Sequence, residues 1–185
     1  MNTTSFLHKI AQQIANDCDL NFTNTVIVLP NKRARLFLLE AFKSTSNKTF
    51  FAPEIISIED LITKISKMNT LSGVEQLFEF YEVYKEITPQ NAQQDFEQFS
   101  NWAKMLLQDF NEIDRYLLKP SHVFEYLKNI DDINHWSVKA EDRSILIDNY
   151  LTFWNQLPIY YKALTTRLIE QNSGYQGLVY RVAVD

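Results

Sequence analysis

Glycine occurs only three times in the 185 residues, at Gly73, Gly174 and Gly177. Because glycine lets a backbone enter left-handed turns and approach a ligand closely, its scarcity removes whole classes of fold and site. A Walker loop, G-x-x-x-x-G-K-[ST], has no glycine before position 73 with which to wrap phosphates. The dinucleotide fingerprint G-x-G-x-x-G and the nucleophile elbow G-x-S-x-G are absent too. Collagen-like, Gly-rich and long disordered architectures are excluded. A helix-rich chain with few tight turns remains. Aromatics at 14%, including 13 Phe and 9 Tyr, give it large side chains to bury.

One cysteine, Cys18, leaves no disulfide framework within the chain and no Cys-based zinc site, and points to a reducing cytosol. The net charge of -5 argues against generic coating of nucleic acid, though a local basic cluster can still bind phosphates. No apolar run approaches the roughly 20 residues of a membrane span. The start, Met1 to Phe6, has neither a charged n-region nor an apolar h-region. The chain reads as soluble and cytoplasmic, with no membrane partner.

Two stretches differ in pattern. Residues 1–69 read as α/β in the order helix, strand, helix, strand, helix, a layered unit. Phe6, Ile10 and Ile14 recur at helical spacing behind Ser5, a plausible N-cap. Thr25 to Leu29 is a β-branched run closed by Pro30, apolar on both faces, as in a buried parallel strand. A helix restarts at Lys32 and runs through Leu36, Phe37, Leu39 and Phe42. Phe50 to Ile56 is a broken second strand. Ser57 opens a third helix with Asp60 in a capping-box position, and Ile58, Leu61, Ile62 and Ile65 are expected to face inward.

Residues 70–173 read as a helical subdomain. One stripe is Val74, Leu77, Phe78, Tyr81 and Tyr84. A longer one is Phe96, Phe99, Ala103, Leu106, Phe110 and Ile113. Two more run from Ile145 to Trp154 and from Tyr160 to Ile169. Pro89, Pro120 and Pro158 are expected between or at the ends of these helices, where proline is tolerated. Residues 174–185 read as a turn at Gly174 to Gly177 and then the start of a further apolar element, as in a fragment of a longer protein.

The segment Val26 to Arg35 carries the most chemistry. A strand feeds a short turn and a helix whose start bears Lys32, Arg33 and Arg35, with Asn31 as a good N-cap. Unpaired N–H groups at a helix start and a turn at the carboxyl end of a parallel strand make a natural phosphate site. Cations there oppose the helix dipole, so a nearby anion would relieve them. The alternative is that these are solvated charges whose apolar stems pack on the fold.

Elsewhere the structural reading dominates. Asp109 and Glu112 share a helix face while Asp114 points elsewhere, and the stretch reads as a solvated face with Arg115 as ion-pair partner rather than a metal site. His8, His122 and His135 are scattered and lack ligand spacing. Cys18 reads as a lone buried or half-buried thiol. The aromatic segments at Phe78 to Tyr81, Phe99 to Trp102 and Tyr160 to Tyr161 have a base-stacking alternative, but at helical spacing they read as core. No catalytic residue and no metal or cofactor site emerges.

The stretch Ile27 to Leu38, containing Leu29-Pro30-Asn31-Lys32-Arg33-Ala34, followed by Pro53 to Asp60 with Ser57-Ile58-Glu59-Asp60, resembles the start of AddB-like proteins. These are helicase–nuclease subunits of bacterial double-strand-break repair, related to RecC and UvrD-type helicases. The form resembled is the PD-(D/E)XK nuclease family protein of Bacteroidetes type that lacks a Walker A motif. Trp102 to Asp114 and Gly174 to Leu178 are similar as well, so the resemblance covers nearly all of this chain and a small N-terminal part of the family's longer protein. It implies a degenerate helicase-like, P-loop NTPase-related parallel-sheet unit with a large helical insertion. Pro30 to Leu36 would match the helicase motif that lies against single-stranded DNA, and Ser57 to Asp60 the next motif. Asn31, Lys32, Arg33, Arg35 and Ser57 are then the implied contacts to DNA phosphates. Without the nucleotide loop the unit would not hydrolyse ATP, and the family's nuclease motif lies beyond this chain. Implied partners are single-stranded DNA or DNA ends and a helicase–nuclease subunit of AddA type. The acidic total is reconciled if the negative charge sits in the helical part, where most Asp and Glu fall. The competing reading is a helical module that docks a partner protein without touching nucleic acid. An independent hydrolase has no supporting constellation.

Overall fold

A computed structural model describes residues 5–18, 21–45, 49–135 and 145–185, with side chains described outside 129–153. The leader reading at Met1 to Thr4, the side chain of His135 and the stripe from Ile145 to Phe153 lie outside the described residues. Among the described residues the chain is mostly α-helical, with two short parallel strand pairs. It divides into two compact units, Met1–Ile65 and Ser66–Asp185.

The first unit contains α1 (Phe6–Asp17), β1 (Val26–Leu29), α2 (Ala34–Thr45), β2 (Glu54–Ser57) and α3, which starts at Ile58 and ends at Ser66. The expected order is present. Ser5 caps α1 by accepting from the His8 N–H at 3.4 Å. β1 and β2 pair in parallel, with Val26 opposite Glu54 and Leu29 opposite Ser57. The core is small: Ala11 and Ala15 of α1 face Leu38, Ala41 and Phe42 of α2, closed by Phe22 and Ile55. Phe22 sits edge-on to both Phe42 and Phe50, at 5.3 and 5.6 Å between ring centres. Cys18 is half-buried, its Sγ 3.7 Å from Thr25 Oγ1.

Several local expectations need correction. β1 is not buried on both faces: Ile27 and Leu29 pack inward, but Val26 and Val28 are 51% and 40% exposed, as in a sheet covered on one side within its own unit. α2 starts at Ala34 rather than Lys32, and its Leu36 and Phe37 are exposed while Leu38 and Phe42 are buried. The second strand starts only at Glu54, since Pro53 has no N–H for a ladder. α3 has no buried residue; Ile58 and Ile65 are exposed.

The second unit contains β3 (Asn69–Thr70), α4 (Gly73–Ile87), a 3-10 turn (Gln90–Ala92), α5 (Phe96–Arg115), α6 (Pro120–His135), α7 (Ile145–Glu170), β4 (Ser173–Gly174) and α8 (Gln176–Val184). Ser72 and Glu75 form a reciprocal capping box at α4, and Asp95 caps α5 through the Gln98 N–H at 2.8 Å. Pro120 is the first residue of α6, where its missing N–H costs nothing. Phe80, Phe99, Phe110 and Tyr160 are fully buried and meet edge-on or tilted, which suits the ring quadrupole. The aromatic segments are therefore core at Phe80, Phe99, Tyr160 and Tyr161. The Tyr160 hydroxyl lies 2.8 Å from Thr88 Oγ1 and donates to Gln156 Oε1 at 2.9 Å.

The α5 stripe buries from Phe99 to Ile113 with Phe96 half-buried, whereas of the expected α4 stripe Leu77 and Tyr84 are buried. Leu77, Phe80, Val83 and Tyr84 face the core, leaving Val74 and Phe78 exposed. Phe78 instead stacks on Phe96 at 4.9 Å. The two expected C-terminal helices are one, with Pro158 inside α7. No free turn forms at Gly174 to Gly177, and the further apolar element is a helix, α8. Gly174 ends β4, which pairs with β3, and Gly177 lies in the first turn of α8.

α8 lies close against α5. A Cβ on Gly177 would fall 2.1 Å from the Asn111 carbonyl oxygen, so only glycine permits this approach. The Gly177 N–H donates to Asn111 Oδ1 at 2.7 Å. One turn along α5, Asp114 is fully buried. It accepts from the Tyr161 hydroxyl, from the Tyr175 hydroxyl at 2.5 Å and from Arg181 Nε at 2.6 Å. Arg181 also donates to the Ile113 and Leu118 carbonyls, at 3.0 and 2.6 Å. A buried carboxylate is tolerable only when paired and hydrogen-bonded, and this one is both. Burial first, and then Asp114 through its hydrogen bonds and charge, pushes the Tyr161 and Tyr175 hydroxyls far above the usual tyrosine range. Asp114 does point away from Asp109 and Glu112, but its partner is Arg181, not Arg115.

Candidate nucleic-acid interface

The parallel register fixes the geometry. Leu29 and Ser57 are partners, so both strands end at the same level. The turn Pro30 to Arg33 therefore leaves beside the first turn of α3. Asn31 supports the start of α2 through its side chain, with Oδ1 accepting from the Ala34 N–H at 3.0 Å. This is the capping expected of it, set so that Lys32 and Arg33 occupy the turn rather than the helix.

The capping box at α3 is present. Ser57 Oγ accepts from the Asp60 N–H at 3.1 Å, and Asp60 Oδ2 accepts from the Ser57 N–H and hydroxyl at 3.3 and 2.9 Å. The other Asp60 oxygen takes the Lys32 ammonium at 2.8 Å. Hydrogen bonding from Lys32, and next from Ser57, lowers the Asp60 carboxyl to about 2. The same bond raises Lys32. The anion that the sequence asks for beside its cations is thus a carboxylate of the chain itself.

The five implied contacts divide accordingly. Arg33 and Arg35 are exposed and, among the described residues, form no ion pair. Lys32 is exposed but engaged with Asp60. Asn31 is exposed and spends its side-chain oxygen on the cap. Ser57 is buried and its hydroxyl hydrogen goes to Asp60, so it supports Lys32 from behind rather than facing solvent. Sequence reasoning missed Asp60 as the member that joins the two segments. Its one sequence signal is its place three residues after Ser57, which marks it as a cap but not as a Lys32 partner.

Charge separates between the units. Residues 1–65 hold seven Lys and Arg against six Asp and Glu, and residues 66–185 hold eleven against seventeen. The acidic excess therefore belongs to the helical unit. Among the described residues no group of three or more His, Cys, Asp or Glu is placed to hold a metal, and no helix is long and apolar enough to cross a membrane. His8 Nδ1 lies 3.1 Å from Ser44 Oγ, and His122 is exposed. No family model, curated protein or solved structure matches the chain.

Proposed function

We propose that this chain is the N-terminal, non-catalytic DNA-binding scaffold of an AddB-like PD-(D/E)XK nuclease that acts in cytoplasmic double-strand-break repair and recombination. On this reading the first unit is a degenerate helicase-like domain and the helical unit is its insertion. Single-stranded DNA or a DNA end, and an AddA-type subunit, are the partners. One observation carries the proposal: the Pro30 to Arg33 turn leaves a parallel strand at its carboxyl end, level with Ser57 on the neighbouring strand, and Arg33 and, just inside α2, Arg35 are exposed and without an ion pair among the described residues. Ligands of open parallel sheets bind outside the carboxyl ends of strands, and arginine forks match phosphate geometry. Contacts of this kind position a strand without reading its sequence.

The test is anisotropy of a labelled single-stranded oligonucleotide, titrated at several salt concentrations with the full chain and with Arg33→Glu/Arg35→Glu. Each phosphate contact contributes about 0.7 to the slope of log affinity against log salt on single strands. The double variant should therefore bind more weakly, with a slope smaller by about 1.4, and keep its far-UV dichroism. Unchanged binding by the variant, or no binding by the parent chain at low salt, overturns the assignment of DNA to this turn.

A further inference from the structure

The second unit holds an open cavity of about 580 Å³ among α5, α6 and α7. That volume lies within the roughly 300–1,000 Å³ of ordinary ligand clefts. Its floor is apolar and aromatic, formed by Trp102, Phe110, Phe124, Leu127, Trp154 and Leu157. Its rim includes Met105 and Tyr116, large side chains left 70% and 68% exposed, and Leu118 at 45%. The apolar surface thus continues out of the cavity onto the protein's face. Among the described residues two charged side chains line the site, Asp109 and Glu112, both acidic and one helical turn apart on α5. Burial and then the Glu112 charge push the Asp109 carboxyl up.

We infer that this cavity is a docking groove for an amphipathic, basic helix of a partner protein, whose bulky apolar side chains fill the floor and whose Lys or Arg meets Asp109 and Glu112. Three features select this occupant. A floor of rings and branched chains takes apolar anchors at helical spacing, the usual mode of helix-in-groove recognition. The exposed rim extends the apolar contact past the cavity mouth, as a segment lying across it requires. Among the described lining residues the two carboxylates meet no cation, so a basic occupant supplies the complementary charge. The groove belongs to the second unit and the arginine turn to the first, so this inference and the DNA reading stand or fail separately.

The probe is a fluorescein-labelled Leu/Lys amphipathic peptide of about 14 residues, four helical turns. Its twin carries Glu in place of every Lys. Binding is read by anisotropy and by tryptophan emission, because Trp102 and Trp154 line the floor. The Lys peptide should bind and shift the emission, and the Glu twin should not. Asp109→Lys/Glu112→Lys should weaken the Lys peptide by about tenfold or more, as lost charge complementarity predicts. Glu97→Lys/Glu170→Lys changes the net charge equally but away from the groove, and should leave affinity within about twofold. Met105→Arg, at an exposed position, should also weaken binding without a folding cost. Equal weakening by both charge-reversed pairs means diffuse attraction to an acidic protein and overturns the groove. Equal binding of the two peptides overturns the charge match. An emission shift with n-octylamine but with neither peptide would assign the cavity to a small cationic amphiphile and refute a helix partner.

Discussion

Replacing Gly177 with alanine sets two physical effects against each other with opposite signs. Within a helix, alanine is favoured over glycine by about 1 kcal/mol through backbone entropy. Gly177 lies in the first turn of α8, so propensity alone predicts a gain. The packing predicts a loss. The new Cβ would sit 2.1 Å from the Asn111 carbonyl oxygen and 2.8 Å from the Arg115 nitrogen, both backbone atoms of α5 that no rotamer change can move. Relieving the contact needs the two helices to separate by about 1 Å, and overpacking of this kind typically costs about 1–3 kcal/mol. The separation would also stretch the Gly177 N–H bond to Asn111 and the Arg181 ion pair to Asp114. We expect a net loss of about 2 kcal/mol, or about 4–8 °C in Tm for a chain of this size. All three tryptophans lie in residues 66–185, so their fluorescence during urea unfolding reports on the unit that contains α8. Gly73→Ala is the control, since its Cβ would meet nothing within 4 Å; it should stay within about 0.5 kcal/mol of the parent. A Gly177→Ala protein as stable as the parent, or more so, refutes the claim that glycine is required for the α5–α8 contact.

Asp114→Ala should cost about 3–5 kcal/mol, because it leaves Arg181 without its carboxylate and removes the acceptor of two tyrosine hydroxyls. Adding Arg181→Leu should recover part of that loss in the same urea assay; a single variant losing under about 1 kcal/mol would mean the network contributes little. For Asp60, the native carboxyl titrates near 2, below its ordinary 3.8. Its stabilising contribution is complete above the ordinary value and is lost only as pH falls through about 2. A carbon NMR titration of its carboxyl should find that low midpoint, rising in Lys32→Ala; a midpoint near 3.8 in the parent would show that Lys32 swings free in solution.

The first unit was legible where its determinants are local. Ser5, Asn31 and Ser57 with Asp60 are caps that act within three residues, and β1 and β2 are short apolar runs separated by a helix long enough for a parallel crossover. What failed there was burial, because the described core of this unit packs α1 and α2 on one side of two strands and leaves Val26 and Val28 exposed. In the second unit the aromatic richness itself blurred the pattern. α4 carries apolar residues on more than one face, so only packing against α5 and α7 selects Phe80 and Val83 over Val74 and Phe78. Pro158 breaks a helix by removing one hydrogen bond, yet here Leu157, Tyr160, Tyr161 and Leu164 are all buried around it and hold α7 together. Asp114 follows Phe110 by four residues, so its place on a core-facing stripe was a visible signal that it needs partners. Tyr161, Tyr175 and Arg181 lie 47, 61 and 67 residues away, beyond any local rule.

The cationic turn shows why a motif's charge count overstates its binding power. Three cations within four residues suggested one site that an anion should fill. Asp60 already fills part of it, and does so while holding the Ser57 cap, so Lys32 is tied to the start of α3. A phosphate approaching Lys32 must compete with a carboxylate that is bonded from three directions and stays ionised at any pH near neutrality. Arg33 and Arg35 face no such competitor among the described residues. Two exposed arginines give weak, salt-sensitive attraction rather than a self-sufficient site. If DNA passes here, its affinity must come mainly from surfaces that these two residues merely extend. The arginine pair, not the lysine, is therefore the place to cut first.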